Sequence, residues 1–229
     1  MKKFTLTLIS VMGVMVATAV ATLADNNFSG NQLQKGYTHW YEKAAATVGP
    51  YLPAQKADWV LQPGSFLYLE GNSTLHKYQM NAHSLLGSAV MKAPKKDLAK
   101  SLEANGVDSM VLVVPLETLK SKEKGLDDNA YKALASKLNP TIQFFLESET
   151  IKGTLMTAKG NLTIAGKTVP LDLTAETEIT KNRIRLRGIQ KLKMSDYQIT
   201  PPSISLLVTS ITCSDEVEIH YDVTFAWAK

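Results

Sequence analysis

The sequence predicts an all-β fold: an antiparallel barrel of about eight strands, with one helical insert and an N-terminal helical arm. Three observations carry this. From Trp59 onward the chain consists of short alternating segments divided by Gly, Asn, Asp and Pro. Within Thr141–Met194, two tight turns define registers that match polarity on both faces of three strands. The last segment, Glu216–Trp227, alternates strictly and is apolar on one side only.

The chain opens with Lys2 and Lys3, an apolar run from Phe4 to Ala21, and the small-residue ending Thr22-Leu23-Ala24, which together describe a secretory signal peptide over residues 1–24. The run is short, broken by Thr5, Thr7, Ser10 and Gly13, and lacks a basic stop-transfer flank, which argues against a membrane anchor. Cleavage after Ala24 would leave Asp25 first, with no cysteine there to be lipidated, and would take the formal charge from +4 to +2. So mild a basicity does not argue for nucleic acid, which is not an expected partner. Cys213 is the only cysteine, so an exported chain must be held by its core without an internal disulfide.

Residues 25–57 form an appended arm. Trp40, Tyr41, Ala44, Ala45, Val48 and Leu52 recur at loosely helical spacing until Pro50 and Pro53 interrupt. The domain proper is 58–229, with strands expected at Phe66–His76, Tyr78–Val90 and Met110–Leu119, then a helical insert at Asp127–Leu138 ending before Asn139-Pro140. Next, Thr141–Thr150 turns through Ile151-Lys152-Gly153. With Gly166-Lys167 as a two-residue loop, Ile164 opposes Val169, Leu162 opposes Leu171, and Gly160 opposes Leu173, while Phe144 faces Gly160. With Lys181-Asn182 as the next loop, Ile179 meets Ile184 and Thr177 meets Leu186 inside. Outside, Glu178 meets Arg185, Glu176 meets Arg187 and Asp172 meets Lys191. A barrel buries these apolar faces and removes sheet edges; a sandwich would also bury them.

Four segments resemble, in order, the YceI-like polyisoprenoid-binding family: Gly71-Asn72-Ser73-Thr74-Leu75-His76, Leu138-Asn139-Pro140-Thr141-Ile142-Gln143-Phe144, Gly160-Asn161-Leu162-Thr163-Ile164-Ala165-Gly166-Lys167, and Lys193-Met194-Ser195-Asp196-Tyr197 with Pro201-Pro202. The resemblance implies a lipocalin-like eight-stranded barrel, export to the bacterial periplasm, and an isoprenoid or similar amphipathic lipid held in the lumen. It does not account for the arm.

Parity places Phe144, Leu146, Met156, Leu162, Leu171, Leu173, Leu186, Met194, Tyr221, Val223 and Phe225 on the inner face, where they either line a ligand lumen or fill a solid core. The apolar segment Ser195–Asp215 is either a lid over one mouth, with Tyr197, Ile204, Leu206 and Leu207, or another irregular strand. Glu216, Glu218, His220 and Asp222 share one face opposite the apolar stripe and are assigned to solvated surface, so no metal is expected. Arg183, Arg185, Arg187, Lys191 and Lys193 form an outer basic stripe, three of them with acidic neighbours; weak membrane docking is its alternative use. No nucleophile elbow, phosphate loop or metal-ligand spacing occurs, so neither catalysis nor a cofactor is expected. Two functions follow: a periplasmic lipid carrier, or a non-catalytic interaction module whose arm docks a membrane-associated partner or a second copy.

Overall fold

In the computed structural model the wall of the molecule is a β-meander that closes on itself. Described are residues 58–92, 100–102, 106–205 and 210–227. The expected signal peptide and arm, and Leu206 and Leu207, lie outside them.

Twelve strands take part: β1 (Trp59–Leu61), β2 (Phe66–Ser73), β3 (Lys77–Ala82), β4 (Leu86–Met91), β5 (Val107–Pro115), β6 (Leu119–Lys120), β7 (Thr141–Lys152), β8 (Leu155–Ile164), β9 (Lys167–Ile179), β10 (Arg183–Lys193), β11 (Ser203–Ser205) and β12 (Ser210–Trp227). Pairing runs β1-β4-β5-β7-β8-β9-β10-β12, and β1 returns to β12 through Trp59↔Trp227, Val60↔Ala226 and Leu61↔Phe225, which closes the eight-stranded ring. The Trp59 and Trp227 rings meet edge to face across this seam at 5.3 Å.

Three positions of the ring are each split in two. β1 and β2 follow one another along the same edge of β12, β3 and β4 along the edge of that pair, and β6 and β5 along the next. The first break comes at Gln62-Pro63-Gly64-Ser65, where proline and a glycine at φ +87° favour a turn. It stays attached because Gln62 N donates to Thr224 O at 2.7 Å and Thr224 N donates to the Ser65 hydroxyl at 3.0 Å. The expected strand Tyr78–Val90 is therefore two strands, and Met110–Leu119 is β5, a 3-10 turn at Leu116–Thr118, and β6.

The helical insert is α1, Lys124–Ala133, shorter and earlier than the expected Asp127–Leu138. It ends where Leu134 N bonds Ala130 O and Ala135 takes φ +49°, a left-handed terminus. Asp127 accepts from Ser121 N and Oγ, both at 2.7 Å, and Tyr131 Oη donates to Leu119 O at 2.8 Å. These bonds tie α1 beside β6, over a small cluster of Met80, Leu116 and Leu119.

The β9–β10 register is as expected from Ile184↔Ile179 to Arg187↔Glu176, but it stops there. Asp172 and Lys191 are not paired: β9 and β10 part beyond Arg187, and Lys191 instead reaches Glu216 at 3.4 Å and Glu218 at 3.1 Å on β12. The β8–β9 register differs from expectation by two residues. The loop is Ala165-Gly166, with φ +50° and +79°, so Ile164 pairs with Lys167, Leu162 with Val169 and Gly160 with Leu171. Both loop residues in the left-handed region make the tight hairpin turn, which Gly166-Lys167 cannot do as well. Because the slip is even, every side chain keeps its face. Phe144 likewise pairs with Leu162 and reaches Gly160 diagonally.

Three aromatic side chains lie against glycines on neighbouring strands: Tyr78 over Gly71, Phe144 over Gly160 and Tyr221 over Gly188. A Cβ added at Gly160 would stand 2.5 Å from the Phe144 ring and would also meet the Phe145 carbonyl, which is backbone and has little freedom to give. Gly160→Ala should therefore destabilise the fold by about 1–3 kcal/mol, the usual range for overpacking, read as a lower urea midpoint at unchanged slope.

Candidate functional site

Besides the small cluster at Met80, the described inward side chains of the barrel form two larger clusters. One, toward the β1 seam, is built on Trp59, Ala89, Met156, Leu186, Val223 and Phe225; the other, toward α1, on Phe144, Leu162, Ile164, Leu192, Tyr197 and Ile199. Met110, Ile142, Leu146 and Leu173 pack against both and so separate them. Each cluster borders a void, and among the described residues the two voids share no lining residue. The void at the seam end is about 30 Å³; the one under α1 is about 100 Å³.

All eleven residues expected on the inner face are inside. Leu146, Met156, Leu186 and Phe225 border the smaller void and Met194 the larger. Phe144, Leu162 and Leu171 belong to the α1-side cluster, Tyr221 and Val223 to the other, and Leu173 touches both. The interior is thus a divided one, with packed side chains at mid-height rather than a continuous bore.

The larger cavity is bordered by several strands, by α1 and by the segment after β10. From α1 and its C-cap come Leu126, Ala130, Ala133 and Leu134, spaced as one stripe of a helix. The segment after β10 folds as a 3-10 turn, Met194–Tyr197, then runs through Ile199 and Pro202 along the cavity, where β9 and β10 have parted. Of the four residues expected in a lid, Tyr197 is buried at 3% exposure and lines the cavity. Ile204 does not: it lies on β11, 45% exposed, paired with Ile211 of β12. This end of the segment is the irregular strand, and its start is the cover. Cys213 lies within β12 beside a register shift and also borders the cavity.

Polar groups here are few. Burial pushes the Tyr197 phenol up to about 12, with Asp196 adding to the effect, and pushes Tyr78 up as well, where the neighbouring Cys213 contributes. Tyr221 Oη donates to the Thr174 carbonyl at 3.2 Å, passing over Gly188 to satisfy a backbone group freed where the ladder ends. Asp215 anchors the cover. It accepts from the Ser195 hydroxyl at 2.6 Å and from Ser195 N at 2.8 Å.

Outside, Arg185 donates to both carboxylate oxygens of Asp222, at 2.7 and 2.5 Å, and holds that carboxyl below the usual range. Glu178, its expected partner, is at 4.0 Å, while Arg187 and Glu176 pair at 3.3 Å. Glu70 on β2 brings a third group to Glu218 and His220, whose Nε2 lies 3.7 and 3.5 Å from the two carboxylates. That approach was invisible from the last strand alone. Leu69, Tyr78, Met80 and Leu119 were likewise missed as cavity residues, although Leu67, Leu69 and Gly71 share a parity and the α1 stripe was legible.

A closed, eight-stranded antiparallel β-barrel with an apolar, lidded interior is thus the class that fold and site define. The YceI-like domain model matches residues 72–225, and the chain belongs to that family. Among solved structures, it is similar to Burkholderia cenocepacia BcnA at 16% identity and TM-score 0.56, covering 70% of this chain and 95% of that one. It is also similar to a polyisoprenoid-binding domain from Saccharophagus degradans implicated in plant cell wall breakdown, at 12% identity and TM-score 0.57, covering 75% and 99%. At these identities the likeness is one of fold. A search of curated proteins found no match.

Ser195 holds the Asp215 carboxyl below the ordinary aspartate range, through its hydroxyl first and its backbone N–H second, with Lys193 adding. A lowered value in the folded state means the contribution is complete above an ordinary pKa of about 4 and fades as pH falls through the folded value. Asp215→Ala should therefore unfold at lower urea than wild type near neutral pH, and the two midpoints should converge in acid. A gap that persists at the lowest pH would assign the effect to something other than this carboxylate.

Proposed function

We propose that the chain is an exported, non-enzymatic binder of an amphipathic, isoprenoid-type lipid, and that the cavity under α1 is where the lipid seats. The observation that carries this is the cavity itself: about 100 Å³, walled almost wholly by hydrocarbon and thioether, beneath a helix and an anchored cover. Membership of the YceI-like family, together with a fold like that of a polyisoprenoid-binding domain, supports the choice of lipid. The leader at residues 1–24 supports export to the periplasm. Binding is burial: each methylene leaving water contributes about 0.8 kcal/mol.

The volume sets a condition. A void of this size takes roughly one isoprene unit, judged against cavities that hold a benzene ring. A longer tail must displace the packed residues at mid-height or emerge past the cover. Met80 and Met194, unbranched and adaptable, border the space that has to give.

The divided interior favours a second reading, in which the barrel is a filled scaffold and residues 25–57, outside the family match, dock a membrane-associated partner or a second copy. One preparation separates the two. Mature protein purified from its own exporting host is expected to show a bound mass in native mass spectrometry, released as lipid by organic extraction, and Val217→Phe, which enlarges a side chain of β12 that lines the cavity, should lower the loaded fraction severalfold. Protein that is never loaded, and that loses an associated chain when 25–57 is deleted, would favour the scaffold.

A further inference from the structure

We infer that the cavity under α1 receives the polar end of the lipid, and that this end is uncharged and accepts a hydrogen bond from Tyr197. The inference rests on the lipid-binding reading above and supplies the head-group chemistry that reading leaves open.

Tyr197 is 3% exposed and lines the cavity, and its hydroxyl, sealed from solvent, meets no hydrogen-bond partner among the described residues. A buried hydroxyl left unpaired is unfavourable, and such groups persist where something else satisfies them. The same wall holds the Tyr78 hydroxyl beside the Cys213 thiol. An otherwise apolar cavity with a few convergent donors is the usual form of a site that orients an amphipathic guest. The smaller void is different. Trp59 Nε1 is also unpartnered there, but about 30 Å³ has room for little more than a water.

Charge decides the class of head. Among the described residues lining the cavity Lys193 is the one cation; it is exposed, opposes Glu216 on β12, and lies near enough to Asp215 to help lower its pKa. Being exposed, its side chain stays hydrated and does not enter the apolar space. A phosphate or carboxylate in this cavity would lose its hydration with no buried cation among the described lining residues to replace it. An alcohol, ketone, ether or amide requires only the phenol to donate.

Equilibrium titration with farnesol, farnesyl phosphate and the head-free hydrocarbon farnesane tests this on wild type, Tyr197→Phe and Tyr78→Phe. Wild type should bind farnesol roughly tenfold or more tighter than farnesyl phosphate. Tyr197→Phe should lose about three- to tenfold for farnesol, the worth of one hydrogen bond, and nothing for farnesane. A structural role for the hydroxyl would not predict the second readout: unliganded Tyr197→Phe should melt no lower than wild type, because only an unpaired group has been removed. Farnesyl phosphate bound as tightly as farnesol, or farnesol bound equally by Tyr197→Phe, would overturn the inference while leaving lipid binding intact. Failure of both farnesol and farnesane to bind wild type would overturn the lipid reading itself.

Discussion

A ring of eight strands encloses an interior of nearly fixed width, and the rest of this molecule is an answer to how that width is filled. Each inward residue faces others across the bore, so the wall cannot hold large side chains everywhere. Glycine at 71, 160 and 188 lets Tyr78, Phe144 and Tyr221 lie along the wall instead of standing across it. Where Phe144, Leu146 and Leu173 meet, the bore is packed; beyond them, under α1, it is not. The cavity is thus what remains when the wall's own side chains have been placed.

The wall opens where its hydrogen-bonding rule is broken. Past Arg187↔Glu176 the β9 and β10 backbones separate, and Tyr197 and Ile199 enter the cluster that the β9 side chains leave incomplete. At this point the Thr174 carbonyl accepts from the Tyr221 hydroxyl. One ring therefore does two things: it covers Gly188 and ends a ladder. The cover that follows is tied down by polar contacts at Asp215, outside the apolar space, so its attachment and its lining are separate chemistries.

Parity was legible in the sequence to a degree that register was not. Moving the β8–β9 turn from Gly166-Lys167 to Ala165-Gly166 changes every partner of Leu162 and Leu171 yet leaves both inside, because strand faces repeat every second residue. The inner-face residues therefore survive an error that their pairings do not. Breaks were harder to see. Nothing in the alternation of Tyr78–Val90 marks the change from β3 to β4, since the interruption serves the neighbouring strand at Gln62–Ser65 and the 3-10 turn at Leu116–Thr118. Long-range neighbours were hidden for the same reason: Glu70 meets His220, and α1 meets Met80, only once the ring is closed. Ile204 misled because composition alone cannot tell an apolar lid from a short exposed strand.

The divided interior bears on how a hydrophobic guest would be selected. In a hollow barrel every added methylene gains alike, and affinity grows with tail length. Here the first unit enters space already present, whereas a longer tail must move residues that are themselves well packed, and each displaced apolar side chain gives up burial comparable to what the tail gains. Tail length then contributes little beyond the first unit, and discrimination falls to whatever meets the polar end. In such a barrel the placement of one phenol matters more than the length of the bore.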